Sequence, residues 1–188
     1  MTRVSAASVL RRALPTMRIL WAALLASVAI IAFMTTRLPA QPDAARPMAV
    51  LVLAGVAAGC AVASFVLPAI VYAGNLRRRR PEVREPGPRE AFTYRSAAAA
   101  GDPIGEFAEP DMAAVQAVAS GQVAFILRLA LSEAVALLAL PAHLLGARLR
   151  FAAIFVAAGA VLLMLRFPTR ATVLGPYERF HKARFPAL

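Results

Sequence analysis

The stretch from Met48 to Ala73 is apolar almost without a break. A helix that crosses a bilayer core needs roughly 20 mainly apolar residues at about 1.5 Å each, and this run meets that easily. Three further apolar stretches accompany it. The first covers Ile19 to Phe33 and extends to about Thr16 and Leu38. The third covers Val123 to Leu145, interrupted by Arg128, Glu133 and His143. The fourth, Phe151 to Leu165, is short and spans only if Arg150 and Arg166 snorkel outward from its ends. Of the 188 residues, 60% are hydrophobic and only 16% charged, where a soluble domain has about 25% charged. That balance excludes a disordered chain, a disulfide scaffold and an ordinary cytosolic enzyme. The expected fold is all-α: a polytopic membrane protein with four transmembrane helices.

The first stretch needs a check against a signal peptide. Arg11, Arg12 and Arg18 give it a basic start, and Leu38-Pro39-Ala40 is faintly like a cleavage site. The apolar region is long, however, and a proline lies just before the potential cut, so it reads as a retained helix.

Lys and Arg total 21 against 10 Asp and Glu, a formal charge of +11. In a soluble protein this would suggest nucleic acid. Here the arginines sit beside apolar runs, where they set topology and meet anionic headgroups. The arm before the first run holds Arg3, Arg11, Arg12 and Arg18. The second loop holds Arg77 to Arg80, then Arg84, Arg89 and Arg95. The tail holds Arg166, Arg170, Arg179, Lys182 and Arg184. The first loop has only Arg37 and Arg46, and the third only Arg148 and Arg150. The positive-inside rule then puts both termini and the long second loop in the cytoplasm, with the bacterial inner membrane as the expected location. The expected partners are the lipid bilayer and a homo-oligomer or larger membrane complex, with no nucleic acid.

The chain accordingly divides into a cytoplasmic arm (1–15), the first two spans (16–74), an Arg- and Pro-rich cytoplasmic loop (75–109), a long third helix with the fourth span (110–167), and a basic cytoplasmic tail (168–188). The loop lacks the apolar content to fold alone and is expected to be disordered. Pro110 suits a first helical position and Asp111 the positive end of a helix dipole, so the third helix should start well before its apolar part. The tail, Tyr177 to Phe185, mixes aromatic and basic residues and reads as a segment resting on the membrane surface.

Glu133 is the most informative polar residue. An acid at membrane depth costs about 2.5–3.5 kcal/mol on insertion scales, so it needs a use. One reading is an interhelical hydrogen bond that fixes packing, with Ser64, Ser27 or an arginine as partner. The other is proton binding, since desolvation favours the neutral carboxyl. Arg128 precedes Glu133 by five residues and points roughly 140° away round the helix, which is poor geometry for an ion pair. Ser64, Arg128, Ser132 and His143 are the candidate polar partners of this region. Cys60, the one cysteine, lies inside an apolar run and reads as a small packed side chain. No Cys/His metal spacing, nucleophile–base pair or phosphate-binding glycine loop is present. No catalytic residue, cofactor or metal is therefore expected.

The second span offers Gly55-Val-Ala-Ala-Gly59 and then Ala63, small-xxx-small spacing that lets another backbone approach closely. Together with the run Arg77-Arg-Arg-Arg-Pro-Glu82 and the segment Leu131-Ser-Glu133-Ala-Val-Ala, these glycines make the second and third spans resemble the hairpin of the proteolipid c subunits of rotary ATP synthases. That resemblance implies that Glu133 would be a proton-binding carboxylate. It covers those two spans only; the loop here is longer, Pro68 interrupts the glycine pattern and two further helices flank the hairpin.

The leading expectation is a non-enzymatic membrane subunit that packs through Gly55, Gly59 and Ala63. The rival is a c-subunit-like proton-binding or proton-conducting element built on Glu133. A membrane enzyme is the weakest of the three.

Overall fold

A computed structural model describes residues 6–39, 46–78, 81–84 and 105–185. The described chain is mostly helical, as its apolar runs require. Helix α1 spans Ala6–Arg37, α2 Pro47–Arg78, α3 Pro110–Leu137, α4 Ala139–Leu144, α5 Leu149–Met164 and α6 Arg170–His181. Three short strands, β1 Val83–Arg84, β2 Gly105–Phe107 and β3 Ala183–Arg184, complete the order. Helices α1 and α2, and α3 taken together with α4, are long and apolar enough to cross a membrane. Helix α5 is apolar but only 16 residues long.

The chain forms two compact units. One is drawn from Arg18–Ile70 and Ala124–Phe167. Its buried side chains are small or branched: Ile31, Ala57, Val135, Ala139, Ala142, Ala152 and Phe155 form one cluster, and Val28, Leu129, Ala136 and Leu163 another. The large apolar side chains of its helices point outward instead. Ile30, Val52, Phe65 and Ile154 are all more than half exposed, the pattern of helices that face lipid rather than water.

Pro141 explains the break between α3 and α4. Proline has no N–H to continue the ladder and disfavours helix just before it, so α3 ends at Leu137 and a turn at Leu138 intervenes. Helix α4 ends in a glycine cap. Gly146 takes φ 87°, the left-handed region, while Ala147 N–H bonds Ala142 O and Gly146 N–H bonds His143 O, each at 3.0 Å. This paired closure satisfies the last carbonyls of a helix.

The other unit is drawn from Met1–Met17, Val71–Val123 and Pro168–Leu188. Strand β2 is its centre, paired antiparallel with β1 and parallel with β3. The sheet order is β1-β2-β3. Phe107 of β2 packs on Phe185 at 4.6 Å and on Tyr177 at 5.5 Å between ring centres. Tyr177 is fully buried and its hydroxyl donates to Gln116 Oε1 at 3.1 Å. The Thr169 hydroxyl accepts from Thr172 N–H at 3.2 Å and so caps α6. The expected membrane-surface tail is thus folded into this unit: Val173, Leu174 and Tyr177 turn inward, and the basic residues Arg170, Arg179 and Lys182 turn outward. Part of the expected disordered loop, around β1 and β2, is ordered here as well; its residues 79–80 and 85–104 lie outside the described residues. Helix α1 begins by Ala6, inside what the sequence suggests is an arm, and Ala6 N–H bonds Asp111 Oδ1 at 2.5 Å.

His181 makes the stability of this unit pH-dependent. Its ring lies 4.5 Å from Tyr177 and 5.0 Å from Phe180. Its Nε2 is buried with no hydrogen-bond partner among the described residues. Burial penalises the imidazolium and lowers the pKa below its usual 6.5. A group whose folded pKa is depressed leaves stability intact above the unfolded value and erodes it as pH falls below that value. Amide exchange of Gly105–Phe107, corrected for the intrinsic rate, should therefore show faster opening on going from about pH 7.5 to about pH 5. His181→Phe should remove that dependence.

Candidate functional site

Three of the polar residues nominated in the sequence, Ser64, Arg128 and Ser132, meet in the lipid-facing unit at Arg166. This arginine follows the last turn of α5. Its Nη1 donates to Arg128 O at 2.7 Å and to Ser132 Oγ. Its Nη2 donates to Ser64 Oγ at 2.8 Å. The guanidinium also lies over the ring of Phe65, 4.8 Å from its centre. Each serine hydroxyl donates to its own helix, Ser64 to Ala61 O at 2.5 Å and Ser132 to Arg128 O at 2.7 Å. Each thereby turns a lone pair toward the arginine. Both serines are fully buried.

Arg166 therefore departs from the outward snorkelling expected of it. The Ser132 carbonyl lies against Gly159, two helical turns before Arg166. The guanidinium must reach back along α5 to find Ser132, into the space between α2 and α3. The attraction is chemical. A cation in an apolar setting needs its donors satisfied, and the two serine hydroxyls and the Arg128 carbonyl supply the acceptors. Arg150, at the other end of α5, stays exposed.

Glu133 is next to Ser132 in sequence but is half-buried and has no side-chain hydrogen bond or ion pair among the described residues. Ser64, Arg128 and Ser132 are brought together, but around Arg166 and not around Glu133.

His143 sits apart from this group. It is buried, with Nδ1 3.2 Å from Ala147 O and Nε2 3.1 Å from Leu38 O. It ties the end of α1 to the turn after α4, and Arg46 N–H to Leu145 O at 3.3 Å ties the start of α2 to the same turn. Trp21 donates its indole N–H to Leu163 O at 2.8 Å and packs edge-on against Phe167.

The glycines divide sharply. Among the described residues nothing lies within 4 Å of a Cβ built on Gly55 or Gly59. The surface around Gly59 is a shallow apolar groove lined by Ala58, Val62, Ala63, Val66 and Leu67. At Gly159, in contrast, a Cβ would stand 2.7 Å from Ala136 Cβ, 2.9 Å from Ala136 N and 3.0 Å from Ser132 O. Among the described residues a close helix crossing is therefore that of α3 on α5 at Gly159, a residue for which the sequence alone raises no expectation. A signal for it was present: Ser132 and Ala136 have small-xxx-small spacing on α3.

No family model, curated protein or solved structure matches this chain. What it does must be read from its own residues. Among the described residues no group of His, Cys, Asp and Glu could hold a metal ion. Cys60 is a free, half-buried thiol packed against the larger apolar cluster.

Proposed function

We propose that this chain is a non-enzymatic, multi-pass protein of the bacterial inner membrane that associates with a second copy of itself through the Gly55, Gly59 and Ala63 face of α2. In this reading α5 is a fourth span, and both termini and the Arg-rich loop face the cytoplasm. The loop charges support that orientation. The observation that carries the association is the contrast among the glycines. Glycine inside a helix costs about 1 kcal/mol relative to alanine. At Gly159 that cost is offset by a backbone contact, whereas Gly55 and Gly59 gain no such contact among the described residues. A helix docking in the groove beside them from another chain would use both.

The test is self-association in detergent micelles or lipid nanodiscs. Gly59→Leu, alone or with Gly55→Leu, should convert oligomer to monomer by light scattering while helicity stays unchanged, because among the described residues nothing fills the groove. A wild-type chain that runs as a monomer at every concentration would sink the proposal.

Glu133 supports a second reading, a c-subunit-like proton-binding element. A half-buried carboxyl on an apolar helix, without a partner among the described residues, is available to exchange a proton. Carbodiimide labelling in native membranes should then be fast and fall as pH rises, with Glu133→Gln as the blank. Absence of labelling at every pH would remove this reading and leave the first.

A further inference from the structure

The Arg166 cluster is incompletely filled. A guanidinium carries five N–H donors. Two on Nη1 and one on Nη2 are engaged by Arg128 O, Ser132 Oγ and Ser64 Oγ. The Nε–H and the second Nη2–H have no partner among the described residues. These two donors remain available to the oxygens of a phosphate or carboxylate.

The charge around these donors points to an anion. Arg128 lies near enough for its positive charge to oppose that of Arg166. Neither arginine has an ion-pair partner among the described residues, and the Arg128 side chain has no hydrogen bond there. Two cations held together with no counter-ion are unfavourable in a low-dielectric setting. The serines anchor Arg166 from one side without neutralising it.

We infer that Arg166 and Arg128 form a binding site for a phosphate group, with the remaining donors of Arg166 bonding phosphate oxygens and Arg128 adding the second positive charge. The surroundings favour a phospholipid headgroup as the source. Phe65, Met164 and Leu165 are 58%, 60% and 72% exposed, so the immediate sequence neighbours of the site present apolar surface suited to acyl chains. This inference rests on the membrane reading of the chain but not on its self-association.

The experiment uses the full chain in a neutral detergent, its thermal midpoint followed through Trp21, the one tryptophan. Dioleoyl phosphatidylglycerol, dioleoyl phosphatidylcholine and inorganic phosphate are titrated separately. Phosphatidylglycerol should raise the midpoint saturably, and phosphatidylcholine should act much more weakly. Arg128→Gln keeps the Arg128 carbonyl, and with it every hydrogen bond of Arg166. It should weaken the phosphatidylglycerol effect by about tenfold or more, the loss of one charge-assisted contact. Arg166→Lys, which keeps charge but loses the fork, should do the same. Saturation by inorganic phosphate with the same sensitivity to both variants would also support the site, with a free anion as its ligand. The inference is overturned if the two lipids act alike, or if the phosphatidylglycerol effect survives both substitutions. Gly59→Leu should leave the lipid effect unchanged, which separates this site from the proposed association face.

Discussion

Gly159→Leu should abolish the folded state of the lipid-facing unit, and even Gly159→Ala should lower its stability by about 1–3 kcal/mol, the usual range for overpacking. The reason is which atoms stand in the way. An added Cβ meets not only Ala136 Cβ at 2.7 Å but also Ala136 N at 2.9 Å and the Ser132 carbonyl at 3.0 Å. A side chain can rotate aside; the backbone of α3 cannot move without disturbing its own ladder. Relief would require α3 and α5 to separate, which would also loosen the contacts of Ala136 and Leu163 in the smaller apolar cluster. The measurement is thermal unfolding followed by Trp21 fluorescence, since its indole bonds Leu163 O on the same helix as Gly159. Gly55→Ala and Gly59→Ala are the controls. Their sites are open among the described residues, so both should be neutral or gain up to about 1 kcal/mol from helix propensity. Equal losses at all three positions would show that the α3–α5 crossing is not where the chain is tightest.

The second large effect concerns the acceptors of Arg166. Ser132→Ala should cost about 1.5–3 kcal/mol, the range for a hydrogen bond to a charged group, and Ser64→Ala a similar amount. The double variant should lose more than either, because Arg166 then keeps only the Arg128 carbonyl and the Phe65 ring. The informative variant is the triple one. Adding Arg166→Met to the two alanines removes the charge along with its acceptors, and a charge-free replacement is often neutral or stabilising. The triple variant should therefore return to within about 1 kcal/mol of wild type. A triple variant as unstable as the double would mean that the serines matter for packing and not for the arginine.

The three long apolar helices are legible because helices in lipid need no amphipathic period: α2 is apolar all round, and its length alone declares it. The polar site was half legible. Ser64, Ser132 and Arg128 were singled out, but as partners of Glu133, since a helical wheel describes one helix and says nothing of which neighbour faces it. Arg166 looked like an end-of-span residue because its position in sequence does not reveal that its side chain runs backward along α5. Gly159 was hidden for a related reason: one glycine in an alanine-rich helix marks a close approach only once the opposing backbone is known. The sheet left no pattern to read. Strands of two or three residues, such as Val83–Arg84 and Gly105–Phe107, are too short for alternation to show, and β2 finds β3 only across most of the second half of the chain. The packing of Tyr177 and Phe185 leaves no local signal either, because their partner Phe107 lies far away in the sequence.

That last pairing imposes an order on biosynthesis. Strand β3 emerges from the ribosome after every helix has been made, and Gly105 N–H has its partner, Lys182 O at 3.0 Å, only then. During translation β2 waits with an unpaired edge while α3, α4, α5 and α6 are made. The loop-and-tail unit is thus sealed last, after insertion of the spans is complete. A ribosome stalled or a chain cut before Ala183 would leave an inserted protein whose β2 edge and Phe107 stay exposed, a form that quality-control proteases could distinguish from the finished one.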